Sequence, residues 1–165
     1  AGRKELRELA TQWYRITHDA IRRYDKNHLI FGDRYEAKQP IADEVVEAAL
    51  PYVDVLSSQH FAPPAQVTAN LNHWHQKTGK PVLLADHAMQ FRDADGNGRH
   101  NGEGYAQTLA ALRETPGCIG YHLCGAYLRN EARKRALRDA SEKADTEAIT
   151  AITKANREAA GWMTN

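Results

Sequence analysis

The chain has 165 residues, 42% of them hydrophobic and 26% charged, with a formal charge of +1. That is enough for one domain with a real core, too apolar for a disordered chain, and too neutral to predict nucleic acid or an anionic membrane surface as a partner. No apolar run approaches the roughly 20 residues of a bilayer span, so a soluble protein is expected.

In chain order, residues 3–24 predict a helix. Leu6, Leu9, Trp13, Ile16 and Ala20 recur at spacings of three and four and are expected to form its buried stripe. Asp25-Lys26-Asn27 ends it. His28-Leu29-Ile30-Phe31-Gly32 reads as a short strand that opens on the polar cluster Asp33-Arg34-Tyr35-Glu36. Residues 41–50 predict a second helix, with Val45, Val46, Ala49 and Leu50 turned inward and Pro51 closing it. A second strand, residues 53–58, leads into Gln59-His60-Phe61. Pro63-Pro64 then starts a third helix, with Val67, Leu71 and Trp74 on one face and Gly79 as its stop.

The third strand is the stretch Lys80-Pro81-Val82-Leu83-Leu84-Ala85-Asp86-His87. An uninterrupted apolar run bounded by turn residues suits a strand buried on both faces, as in a helix-covered parallel sheet. The abrupt Asp86-His87 at its end suits a strand whose tip opens into a site. A glycine-rich loop is expected over residues 89–104, then a helix over 105–114. The fourth strand runs from Cys118 to Leu123. Residues 129–138 predict a solvated basic helical face, and residues 146–162 a closing helix with Ile149, Ile152, Ala155 and Ala159 inward. Trp13, Trp74 and Trp162 are expected in the core. Cys118 and Cys124 lie six strand steps apart, about 20 Å, too far for a mutual disulfide. Free thiols favour a reducing, cytoplasmic compartment.

The order is therefore a helix followed by strand–helix four times, which predicts a parallel α/β sheet with right-handed crossovers. A complete (βα)8 barrel takes about 250 residues. This chain holds about four βα units, so half of a TIM barrel is predicted, one domain over residues 1–165. Four strands cannot close a barrel, and open edges with an apolar inner face invite association. Completion by dimerisation, or by a missing N-terminal half, is expected.

Ligands and chemistry sit at the carboxyl ends of the strands in such folds. Those ends carry Arg34, Tyr35 and Glu36, then Gln59 and His60, then Asp86 and His87, and last His122. A lone Arg34 among acids is expected to pair with a carboxylate. His60, His87 and His122 with Asp86 offer the residue types of a zinc site, but without a compact HxH motif, so no metal or cofactor is predicted. Asp93-Ala94-Asp95-Gly96-Asn97-Gly98 copies the first half of a calcium loop. Its twelfth position is Gly104, however, and a polar turn is the expected reading. His73 and His75 are expected on a helix surface.

Together the four strand ends resemble the second half of a clan A glycoside hydrolase barrel of the β-galactosidase and agarase kind. Lys80-Pro81-Val82-Leu83-Leu84-Ala85 is similar to the clan's seventh strand, and Asp86 falls where its nucleophilic Glu belongs. His28 to Tyr35 resembles the fifth strand with its Arg-aromatic pair. Val53 to Ser57, with Gln59-His60-Phe61 after it, resembles the sixth. Gly120-Tyr121-His122-Leu123 resembles the eighth, with Leu123 in place of a sugar-stacking Trp. The resemblance implies a carbohydrate substrate, with Asp86 as a nucleophile held ionised by Arg34 and oriented by His60 or Tyr35. It further implies Arg34, Tyr35, Glu36, Gln59, His60, His87 and His122 as substrate ligands. The clan's Asn-Glu acid/base pair ends a fourth strand that has no counterpart here. Asn130-Glu131 follows the last strand and does not match that motif. Glu36 and Asp33 are the nearest carboxyl groups to stand in for the acid. Weak or absent activity of the isolated chain is thus expected, with a non-catalytic sugar-binding unit as the alternative reading and a metal-dependent hydrolase as a third.

Overall fold

A computed structural model describes residues 2–39, 41–92, 98–125, 137–138 and 141–161. Helix α1 spans Gly2–Tyr24, with Glu5 in its first turn and Arg22 and Arg23 in its last, where each charge complements the helix dipole. Asp25 stops it by accepting the backbone N–H groups of Asn27 and His28 at 3.0 and 3.1 Å. The expected strand at residues 28–32 is not a regular strand. Gly32 has φ of +66°, a conformation that ladder residues do not adopt, and a Cβ there would meet Val53 Cγ1 at 2.6 Å. Strand β1 is consequently only Arg34–Glu36. The segment before it is held by Asp54, whose carboxylate accepts Ile30 N–H at 2.7 Å while its own N–H donates to Ile30 C=O.

Helix α2 (Asp43–Ala49), strand β2 (Leu56–Gln59), helix α3 (Pro64–Thr78) and strand β3 (Val82–His87) follow. Beyond β3, the expected glycine-rich loop contains a small antiparallel hairpin, β4 (Gln90–Arg92) and β5 (Gly98–His100). Helix α4 (Gly102–Arg113) begins three residues earlier than expected, because Asn101 caps it by accepting Gly104 N–H at 2.9 Å. Its early glycine serves close packing, since a Cβ on Gly102 would meet Ala151 Cβ at 2.5 Å. Strand β6 (Cys118–Leu123) and helix α5 (Thr146–Ala160, capped by Asp145) complete the order. The acid-rich turn at residues 93–97, most of the basic stretch and Trp162 lie outside the described residues. Among the described residues no helix is long and apolar enough to cross a membrane.

The strands β1, β2, β3 and β6 form one parallel sheet in the order β1-β2-β3-β6. Between β1 and β2 the register pairs Arg34 with Ser57, Tyr35 with Ser58 and Glu36 with Gln59. The chain divides into two compact units. One comprises Ala1–His60, Ala69–Ala85 and Pro116–Gly120; the other comprises Phe61–Thr68, Asp86–Thr115 and Tyr121–Asn165. In the first, Val46, Val55, Leu71, Val82 and Leu84 are fully or nearly fully buried. In the second, Tyr105, Ile152 and Ala155 make a core joined by Leu109, Tyr121 and Leu123.

Two sequence expectations fail on burial. The stripe Leu6-Leu9-Trp13-Ile16-Ala20 faces solvent, and Trp13 is not a core residue. Ala10 and Tyr14 are buried instead, on a neighbouring face of α1 that packs toward α2 with Arg3 on Glu44, Arg7 on Glu47 and Arg22 on Asp54. His75 is not a plain surface residue either. Its Nδ1 lies 2.8 Å from Lys80 C=O, and its ring fills the space beside Gly117 (φ +71°) where a side chain would otherwise stand. Burial therefore predicts unequal costs on α1 and β3. Leu84→Ala lowers stability by about 2–5 kcal/mol, and Gln12→Ala, exposed on α1, by no more than about 0.5 kcal/mol, read as shifts of the urea midpoint.

Candidate functional site

Strand alternation decides which strand-end side chains can reach a ligand. In the first unit, Tyr35 turns toward α1, its hydroxyl 3.0 Å from that of Tyr14. Ser58, its register partner, accepts from Asn70 of α3 at 3.1 Å. Arg34 and Glu36 therefore occupy the opposite face, together with their partners Ser57 and Gln59. Arg34 is exposed, and Glu36 is half-buried. Gln59 Nε2 donates to Glu36 Oε2 at 2.6 Å, and Lys38 N–H donates to Glu36 Oε1 at 3.1 Å. These bonds fix the Glu36 carboxylate as an acceptor that faces away from the helices.

His60 follows β2 and is 8% exposed. Burial, and then the Lys38 ammonium, push its pKa below the ordinary imidazole value, while Glu36 pulls it partly back. Sequence reasoning missed the cluster behind this end of the sheet. Tyr14 donates to Asp33 Oδ2 at 2.8 Å while its oxygen also meets Tyr35. Burial raises the pKa of both phenols, with the Tyr14 shift reinforced by Tyr35 and Asp33. The only signal in the sequence was that Tyr14 lies off the obvious apolar stripe of α1.

In the second unit the same alternation separates Asp86 from His87. His87 is completely buried, stacked on Phe61 at 6.2 Å between ring centroids and tilted against Tyr121 at 5.5 Å. Its Nε2 lies 3.5 Å from Thr108 Oγ1 on α4. His87 thus belongs to the helix-facing layer and stands behind the strand end, without access to a ligand on the other face. Tyr121 continues this layer. It stacks on Tyr105 at 5.0 Å, and Tyr105 donates to Asn156 Oδ1 at 2.7 Å. Asp86 and His122 are left on the opposite face, Asp86 half-buried and His122 exposed. The Tyr121 hydroxyl reaches back to donate to His87 C=O at 3.3 Å, which pins the backbone next to Asp86. Burial raises the Tyr121 pKa, helped by Tyr105, Cys124 and the Asp86 charge.

Among the described residues, no group of three His, Cys, Asp or Glu is placed to hold a metal ion. Both cysteines are free thiols, and burial raises the pKa of Cys118.

A neutral, buried His60 makes stability depend on pH. Its folded pKa is depressed below the unfolded value of 6.5, so the unfolded chain binds the proton more readily. The stabilising contribution is present above pH 6.5 and is lost as pH falls through the folded pKa. The urea midpoint is expected to drop between pH 7.5 and 5.5, and the drop to shrink in His60→Gln. The raised Tyr14 and Tyr121 pKa values act at the other end, with stability intact below the unfolded tyrosine pKa of 10.0 and lost as pH rises above it.

No family model matches this chain, and no curated protein matches it. Solved structures do. An exo-beta-agarase is 21% identical with a TM-score of 0.77, covering 94% of this chain and 23% of that one. A second agarase is 17% identical with a TM-score of 0.74, covering 93% of this chain and 26% of its own. An exo-beta-1,3-glucanase from Cryptococcus neoformans is 16% identical with a TM-score of 0.58, covering 92% and 63%. The chain spans about a quarter of the agarase chains it matches. Its fold is that of part of larger, TIM-barrel-like glycoside hydrolases.

Proposed function

We propose that this chain is the second half of a carbohydrate-active (βα)8 hydrolase of the clan A type, related to the agarases and β-galactosidases. The observation that supports it most is the agreement in fold with two agarases and a glucanase over 92–94% of this chain. Asp86, at the carboxyl end of β3 on the face away from the helices, is the proposed nucleophile. In a retaining reaction it attacks the anomeric carbon while a second carboxyl group about 5.5 Å away protonates the leaving oxygen; water then releases the sugar. Arg34, Glu36, Gln59, His60 and His122 are the proposed surroundings of the substrate, with Tyr35 and His87 acting from behind as supports of the strand ends.

The acid partner is the missing element. A proton donor must be held protonated, usually by an apolar pocket or a neighbouring anion. Glu36 accepts from Gln59 and the Lys38 amide, and Asp33 accepts from Tyr14, so each carboxyl group is already engaged by donors of this chain. Neither is proposed as the acid. The chain alone therefore binds saccharide at its strand tips without turning it over, and the missing half of the barrel, or a second copy, completes the sheet.

Titration calorimetry with agaro-oligosaccharides and β-1,3-gluco-oligosaccharides is expected to detect binding to one of the two. Arg34→Ala and Asp86→Ala each weaken it at least tenfold, roughly 1.4 kcal/mol, with no release of phenol from aryl glycosides by the unmodified chain. Binding to neither series, or binding unchanged in both variants, removes the reading. Aryl glycoside turnover that Asp86→Ala abolishes shows instead that an acid is present after all.

A further inference from the structure

Helix α1 has two apolar faces, and the fold covers one of them. Leu6, Leu9, Trp13, Ile16 and Ala20 alternate spacings of three and four, the narrow a/d seam of helix pairing and not the broad stripe of a helix lying on a core. Leu9, Trp13 and Ile16 are 68%, 58% and 56% exposed. Next to the seam, Trp13, Thr17, Ile21, Leu29 and Phe31 wall a groove of about 250 Å³. The segment that lines it leads directly into β1, the outer strand of the sheet order. One patch thus carries both projecting side chains and a receiving groove, as a self-complementary contact about a two-fold axis requires.

The charges select a direction. Arg3, Arg7 and Arg22 are engaged by Glu44, Glu47 and Asp54 of the same chain. In the first two turns this leaves Glu5 beside the internal pair Lys4–Glu8, a formal sum of +1 − 2 = −1. In the last turns it leaves Arg15, Asp19 and Arg23, a formal sum of +2 − 1 = +1. An antiparallel pair of these helices sets the negative half of each against the positive half of the other. A parallel pair sets like against like. The outward face of α5, with Thr153, Lys154, Arg157 and Glu158 exposed, is polar and presents no comparable seam.

We propose that the α1 seam and its groove dock on the same patch of a second copy, with α1 antiparallel to α1 of the partner, forming a symmetric dimer on the β1 flank. A standard interface takes roughly 800 Å² per partner, and Leu9, Trp13, Ile16 and Leu29, each more than half exposed, are the apolar surface offered to it. The pairing does not rest on the hydrolase reading, and particle mass and saccharide binding fail independently.

Light scattering on the purified chain at micromolar concentration tests it. The expected mass is near twice 18.5 kDa. Leu9→Arg and Trp13→Glu, at exposed positions where the fold is not disturbed, each raise the dimer dissociation constant at least tenfold with an unchanged circular dichroism spectrum. Ile119→Arg, at a half-exposed position on β6, leaves the dimer intact. Glu8→Arg weakens the dimer, and adding Arg15→Glu restores it. A monomeric unmodified chain overturns the proposal, as does a dimer that survives Leu9→Arg or one that Ile119→Arg dissolves. A double charge variant no tighter than Glu8→Arg alone overturns the antiparallel direction.

Discussion

A strand in a parallel sheet has two faces, and here helices take one of them. That constraint, acting on adjacent residues of β3, sends His87 into a dry aromatic layer and leaves Asp86 on the other side. Everything assigned to the strand ends depends on it. The same alternation sorts Arg34 and Glu36 from Tyr35 on β1, and His122 from Tyr121 on β6. The polar residues away from the helices are supported from behind by a second set that a ligand would not touch: Tyr14, Tyr35 and Ser58 in one unit, His87, Tyr121 and Tyr105 in the other.

This supporting set rests on hydrogen bonds and ring contacts. A buried phenol or imidazole is costly unless its polar atoms find partners. Tyr14 meets Asp33 and Tyr35, Tyr121 meets the His87 carbonyl, and Tyr105 meets Asn156. The Tyr14–Tyr35 contact joins α1 to β1, the Tyr121 bond joins β6 to β3, and the Tyr105 bond joins α4 to α5. The polar atoms therefore define the register at the carboxyl end of the sheet, where apolar packing alone would tolerate small slips.

Much of this was legible in the residues. The apolar run into Asp86-His87 marks β3, and Cys118–Leu123 marks β6 with its correct ends. Position along the chain, and so the strand-end candidates, follows from such runs because burial on two faces leaves a continuous apolar signal. What was illegible is orientation. Periodicity shows that α1 has an apolar stripe, but it cannot say whether that stripe or the face bearing Ala10 and Tyr14 meets the body. The ion pairs that settle it join residues about 40 apart in the chain, Arg3 to Glu44 and Arg7 to Glu47. Gly32 is a second case. Its neighbours read as a strand, and only the proximity of Val53 reveals why the ladder starts later. In the stretch after β3, the glycines read as a loop, although Gly102 is small because α5 lies against it.

The corner where α3 returns to the sheet carries one more consequence, for how this sequence can drift. The imidazole of His75 sits where a side chain at position 117 would project, while its Nδ1 is engaged by Lys80 C=O. Asparagine, the side chain most tolerant of a positive φ, is thus sterically barred at 117 as long as 75 is histidine. Replacing His75 by a small residue would relieve that bar but leave the Lys80 carbonyl in need of a donor. Positions 75 and 117, 42 residues apart in the chain, are therefore expected to change together or not at all, as a covarying pair among homologous sequences.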